Sequence, residues 1–193
     1  MISNLIKKMH RPAGTQGFTL IETLLAILVL TVSIAGPLTI ASRGLNAALI
    51  AKNKTVAFYL AQDAIEFVRY QRDTNRLNNQ PWLTGLDSCV SATGATACTI
   101  LSISDTIASC SGTCPALTFD SSTNVFSYAA TGGTVTPTIF TRSVYIKTPV
   151  CNGLGANCNP ADLEAQVISV ITWTDVGKLS HTIKVQENLL NWQ

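Results

Sequence analysis

The residues best equipped for chemistry in this 193-residue chain are six cysteines: Cys89, Cys98, Cys110, Cys114, Cys151 and Cys158. They form three successive local pairs in segments rich in Gly, Ser, Thr and Asn. Short loops close with the smallest entropic loss, which favours sequential bridges: Cys89–Cys98, Cys110–Cys114 and Cys151–Cys158. An even count in polar, loop-rich sequence points to an oxidising compartment outside the cytoplasm. Zinc is the competing reading, with the C-x-x-x-C of Cys110 and Cys114 as contributor. The spacings match no standard finger, however, and the only downstream histidine is His181. A cysteine nucleophile beside His181 is a further option, but an even set more simply pairs off.

Other chemistry is sparse. The chain has no H-E-x-x-H, P-loop or G-x-S-x-G, and Gly153-Leu154-Gly155 lacks the third glycine of a dinucleotide loop. Asn152, Asn157, Asn159, Asp162 and Glu164 could together hold calcium, or simply form a disulfide-tied polar loop. The balance is against an enzyme and against any cofactor or resident metal.

The front end is more informative. Charged residues are only 12% of the chain, and between Phe18 and Ser42 the one formal charge is Glu22. Lys7, Lys8 and Arg11 precede this apolar run, and the small residues Gly14 and Gly17 lie between. A secretory signal places its cleavage site after the apolar segment, so a cut after Gly17 would leave that segment on the mature chain. Cleavage after Ser33-Ile34-Ala35, or no cleavage at all, are the ordinary alternatives. The first of these would put Glu22 inside the apolar core of a signal, at about 2.5–3.5 kcal/mol.

Gly17-Phe18-Thr19-Leu20-Ile21-Glu22 resembles the cleavage and methylation motif of type IV pilins and type II secretion pseudopilins. The resemblance implies a prepilin peptidase that cuts after Gly17 and methylates the Phe18 amine. It also implies that Glu22 meets the amine of a neighbouring subunit during assembly. An ionisable group in a membrane helix needs a partner, and cleavage would create one; snorkelling to the headgroups is the blander role. Ala61-Gln62-Asp63-Ala64-Ile65-Glu66, and the stretch from Trp173 through Gly177 to Trp192, resemble PilV-like minor pilins. Major pilins commonly close one C-terminal loop with a single disulfide, whereas this chain offers three small loops.

These residues need a long helix to position them. Residues 18–42 suffice to cross a hydrocarbon core of about 30 Å. Gly36-Pro37 should break the helix, either as a kink or, as the resemblance implies, as a point of melting. Beyond it Leu38, Ala41, Leu45, Ala48 and Leu49, then Val56, Leu60, Ala64, Ile65 and Val68, recur at three- and four-residue intervals. Helix is expected from Phe18 to about Tyr70, with Asn78, Asn79 and Pro81 as stops. Arg69, Arg72 and Arg76 form a basic stripe, either a DNA contact or a solvated face with Asp73 paired to Arg69.

Strands are expected over Cys98–Ile103, Ala116–Phe119, Val125–Ala129, Ile139–Lys147, Glu164–Thr174 and Leu179–Leu190. Asp175-Val176-Gly177-Lys178 reads as a hairpin turn with the glycine available for positive φ. Val170, Trp173, Ile183 and Val185 should pack that hairpin on the helix.

The sequence thus specifies an α+β chain: a leader (1–17), a membrane helix (18–42), its amphipathic extension (43–76) and a β-rich domain (77–193). The expected function is a minor pilin or pseudopilin, assembled into a type IV pilus-like or type II secretion filament, or priming or capping one. Its partners would be other pilin subunits, the prepilin peptidase, the inner-membrane assembly platform and membrane lipid. The domain would lie outside the cytoplasm, by single-pass anchoring in the inner membrane. Thirteen basic residues against eleven acidic become ten against eleven once the leader is gone, so charge offers nucleic acid little. The alternative is a membrane-anchored module that binds a surface or DNA outside any filament.

Overall fold

The computed structural model describes residues 17–148, 164–175 and 177–191. Two compact units divide the chain, residues 1–48 and 49–193. One helix, α1 (Leu20–Leu77), contributes to both.

In the first unit every described residue is exposed. The helix here is long and apolar enough to cross a membrane, with none of its most apolar window buried in the protein. Residues 20–42 would rise about 34 Å as α-helix, enough for a hydrocarbon core. Helical structure runs on through Gly36-Pro37, with Pro37 inside α1. Proline removes one backbone donor, and in a helix of 58 residues the remaining ladder carries the chain across.

In the second unit, the C-terminal half of α1 packs on a mostly antiparallel sheet. Strands β1 (Val90–Ser91), β2 (Cys98–Leu101), β3 (Thr106–Ser109), β4 (Ala116–Asp120), β5 (Val125–Ser127), β6 (Val135–Lys147), β7 (Glu164–Thr174) and β8 (Ser180–Leu190) form it. The 13-residue β6 is the organiser. Along one edge it pairs with β7, which pairs with β8. Along the other, β4 takes its first half, and β2 and the short parallel β1 take its second.

Strand β6 begins four residues earlier than expected, in spite of Pro137. A register shift between Ala116 and Thr118 lies in the β4 pairing, and the Thr138 hydroxyl donates to the Leu117 carbonyl at 2.6 Å. Strands β1 and β3 were not expected, being short and weakly patterned.

Burial alternates along β7, with Ala165, Val167, Ser169, Ile171 and Trp173 inward. Val170 is therefore not a partner of Trp173 on the core face, since positions three apart in a strand face opposite sides. Helix residues Ala64, Ile65, Phe67 and Val68 pack with Val144, Ile146, Val167 and Leu189 in one cluster. Ala57, Leu60 and Ala61 pack with Leu117, Phe140, Ile171 and Trp173 in a second. Burying each Val, Leu or Ile here contributes roughly 1.5–3 kcal/mol.

The helix ends seven residues beyond Tyr70. Asn79 takes φ 53°, Gln80 N–H donates to the Asn75 carbonyl at 2.8 Å, and Asn79 N–H donates to Arg76 at 3.1 Å. That pair of bonds is a Schellman stop with asparagine at the left-handed position. The Asn75 amide, itself buried, then holds the carbonyls of Trp82 and Thr84 at 3.1 and 2.8 Å.

Two disulfides join Cys89 to Cys98 and Cys110 to Cys114. Cys151 and Cys158, with Asn152, Asn157, Asn159 and Asp162, lie outside the described residues, as does the leader up to Gln16.

Candidate functional site

The only carboxylate in the apolar segment sits at its very start. Thr19 precedes the first helical residue, Leu20, and acts as the N-cap. Its hydroxyl accepts the Glu22 backbone N–H at 3.3 Å, while its carbonyl accepts the Thr23 N–H at 3.1 Å. A threonine cap with a glutamate three residues on has the sequence of a capping box, a signal legible in Thr19-Leu20-Ile21-Glu22 that the sequence reading passed over. Glu22 thus occupies the first turn, where the positive end of the helix dipole favours negative charge. Phe18, just outside the helix, is 79% exposed. Open space surrounds Gly17 and Gly36 as well: a Cβ on either would meet nothing within 4 Å.

Past Glu22 the helix presents Leu24, Leu25, Ile27, Leu28, Val29 and Leu30 outward, all more than half exposed. Its hydroxyls look after themselves. Thr23, Thr31, Ser33 and Thr39 each donate to a carbonyl three or four residues earlier, at 2.7–2.9 Å. Such back-bonding leaves little polar surface seeking water, which suits hydrocarbon surroundings. What this segment can do is insert into lipid or pack against other apolar helices, holding one acid near one end.

The basic stripe is a different matter. Arg69 is bound in bidentate fashion by Glu187 of β8 and, through its other nitrogen, by Glu66 at 2.6 Å. Asp73 pairs with Arg72 at 2.8 Å and not with Arg69, so that expected pair is replaced by a longer-range one. The hydrogen bonds to Glu187 hold the Arg69 guanidinium's pKa above its usual value. Arg76 donates to Asn191. All three guanidiniums thus have partners within the protein: Arg69 ties the helix to β8, Arg72 pairs within the helix, and Arg76 reaches Asn191 just past β8.

One ionic group was missed altogether. Arg142 on β6 is only 2% exposed and donates to the Leu60 carbonyl at 3.1 Å, to Asp63 at 2.7 Å and to the Ile100 carbonyl. The signal was available: Phe140, Arg142, Val144 and Ile146 share one parity, so the alternation that buries the others buries Arg142 too.

His181 stacks on Trp173 across the β7–β8 hairpin, with ring centroids 5.2 Å apart, and bonds Asp175 at 3.0 Å. No described cysteine thiol is free to form a nucleophile with it. Among the described residues, no three His, Cys, Asp or Glu side chains gather as metal ligands.

No protein-family model, curated protein or solved structure matches this chain.

Proposed function

We propose that the chain is a minor pilin or pseudopilin: a prepilin cut after Gly17, methylated at Phe18 and assembled through its apolar helix into a type IV pilus-like or type II secretion filament. One observation carries the reading: an unburied, internally hydrogen-bonded apolar segment, residues 18–42, with Glu22 as its sole charge, one turn past Phe18. A freed Phe18 amine and the Glu22 carboxylate form a complementary pair in a medium where either alone is costly. Within one chain they lie at one helix end; between two chains they set an axial register. Nothing in this arrangement calls for catalysis. The β-rich domain then supplies, outside the cytoplasm, the surface that neighbours or ligands meet.

Intact mass of membrane-extracted protein, together with sedimentation, tests this. Wild-type chain should begin at a methylated Phe18 and enter a high-molecular-mass fraction. Glu22→Ala should still be cut and methylated, but enter that fraction about tenfold less, the effect of losing one ion pair worth about 1.4 kcal/mol. A soluble mature protein that starts at Gly36 would end the filament reading.

A further inference from the structure

The second unit carries a groove that its own fold leaves open. It runs beside α1, from an apolar part lined by Val56, Tyr59, Ile103 and Phe126, of about 440 Å³, to a part lined by Asp63, Glu66 and Asp105, of about 460 Å³. Two large apolar side chains stand exposed at its apolar end, Tyr59 at 65% and Ile103 at 62%. Ile103 lies on the β2–β3 connection, where a polar residue would be the ordinary choice. The other end is negative. Glu66 and Glu187 share the single guanidinium of Arg69, and Asp105 has no ion pair among the described residues.

The same chain exposes a stripe of opposite character. Leu45, Leu49 and Lys52 fall on one face of α1, four and three residues apart, and all are exposed. From Glu22 to Asp63 the chain has no acid, only Arg43, Lys52 and Lys54. The spacings agree. Leu45 to Lys52 and Tyr59 to Glu66 are each seven residues, or about 10.5 Å along a helix, with the apolar group leading in both. Stripe and groove therefore match when the two helices run parallel.

We infer that the groove receives residues 45–52 of a second copy of this chain, with Leu45 and Leu49 seated beside Tyr59 and Ile103 and Lys52 directed to Glu66 and Asp105. This rests on the filament reading. Setting Leu45 against Tyr59 offsets the copies by 14 residues, about 21 Å along the axis. Two apolar helices so displaced cannot both stay centred in a hydrocarbon layer of about 30 Å. The contact therefore belongs to the assembled state and opens when subunits return to the membrane.

The test uses two differently tagged full-length chains, one carrying Lys52→Cys and the other Asp105→Cys, produced together. A short bis-maleimide is applied to the high-molecular-mass fraction and to the dispersed membrane fraction, with both wild-type chains setting the background. The expected product is a mixed dimer confined to the assembled fraction, reduced about tenfold by Ile103→Asp or Leu49→Asp as an apolar anchor is lost. Both substituted positions are exposed, so the variants keep the fold, checked by retention of the Cys89–Cys98 bridge. An assembled fraction that forms normally without the mixed dimer overturns the groove contact alone, as does capture of a different protein at Asp105→Cys. Absence of any assembled fraction overturns the filament reading and this contact together.

Discussion

Arg142 Nη1 donates to Asp63 Oδ2 at 2.7 Å, joining the central strand of the sheet to the helix that covers it. The two ends differ in exposure, 2% for the arginine side chain and 44% for the aspartate. Removing Asp63 leaves a buried cation with only carbonyls, whereas removing Arg142 leaves an acid that water can reach. Asp63→Ala should cost about 3 kcal/mol of unfolding free energy, and Asp63→Asn, which keeps an acceptor, about 1–2 kcal/mol. The double variant Asp63→Ala/Arg142→Met should recover part of that loss. Urea unfolding of all three checks the order; no loss for Asp63→Asn would show that the charge is irrelevant.

The two described disulfides should differ in worth. Cys89 and Cys98 are fully buried in the main core cluster and close a separation of 9 residues. Cys110 and Cys114, half-buried and buried, close a separation of only 4 just past β3 and outside both core clusters. Replacing the first pair with alanine should cost about 3 kcal/mol, loop entropy plus lost core volume, and replacing the second about 1–2 kcal/mol. Thermal melts of the paired variants decide it.

Acid should weaken the domain partly through Asp120. Its carboxylate accepts the Ser122 N–H at 2.9 Å, the Ser122 hydroxyl at 2.8 Å and the Thr123 hydroxyl at 3.0 Å, and these bonds lower its pKa to about 2. A depressed carboxylate pKa stabilises the fold above the unfolded value, near 3.8, and that contribution fades as pH falls toward 2. Asp175 acts in the same direction, held low by its bonds to His181 and the Leu179 N–H. Asp120→Asn should therefore be less stable than wild type at pH 6 and converge with it by pH 2, about the interval between the two pKa values. A gap between the two denaturation midpoints that stays constant over that range would reject the argument.

The β7–β8 turn places its strain on Lys178, not on Gly177 as the sequence suggested. Lys178 takes φ 60° and donates its N–H to the Asp175 carbonyl at 3.0 Å, while Asp175 N–H donates to Leu179 at 3.0 Å. That bonding pattern closes a hairpin whose last loop residue sits in the left-handed region, where glycine is at ease. Lys178→Gly should stabilise the protein by about 0.5–1 kcal/mol, read as a raised melting temperature.

Sequence alone settled the features that depend on local order. The apolar run with its single acid, the helical periodicity past residue 56, and the strands Glu164–Thr174 and Ser180–Leu190 all follow from side-chain period, which needs no distant partner. Burial of Arg142 was equally legible in its parity, and overlooked. Tertiary structure decided what depends on contacts far apart in the chain: Arg69 choosing Glu187 across 118 positions over nearby Asp73, and Arg142 reaching Leu60 across 82. It also decided that Ile103 and Tyr59, distant in sequence and each an ordinary apolar residue in its own segment, line one open groove. Local pattern states which face of an element avoids water; only packing states which neighbour covers that face, and which face stays bare.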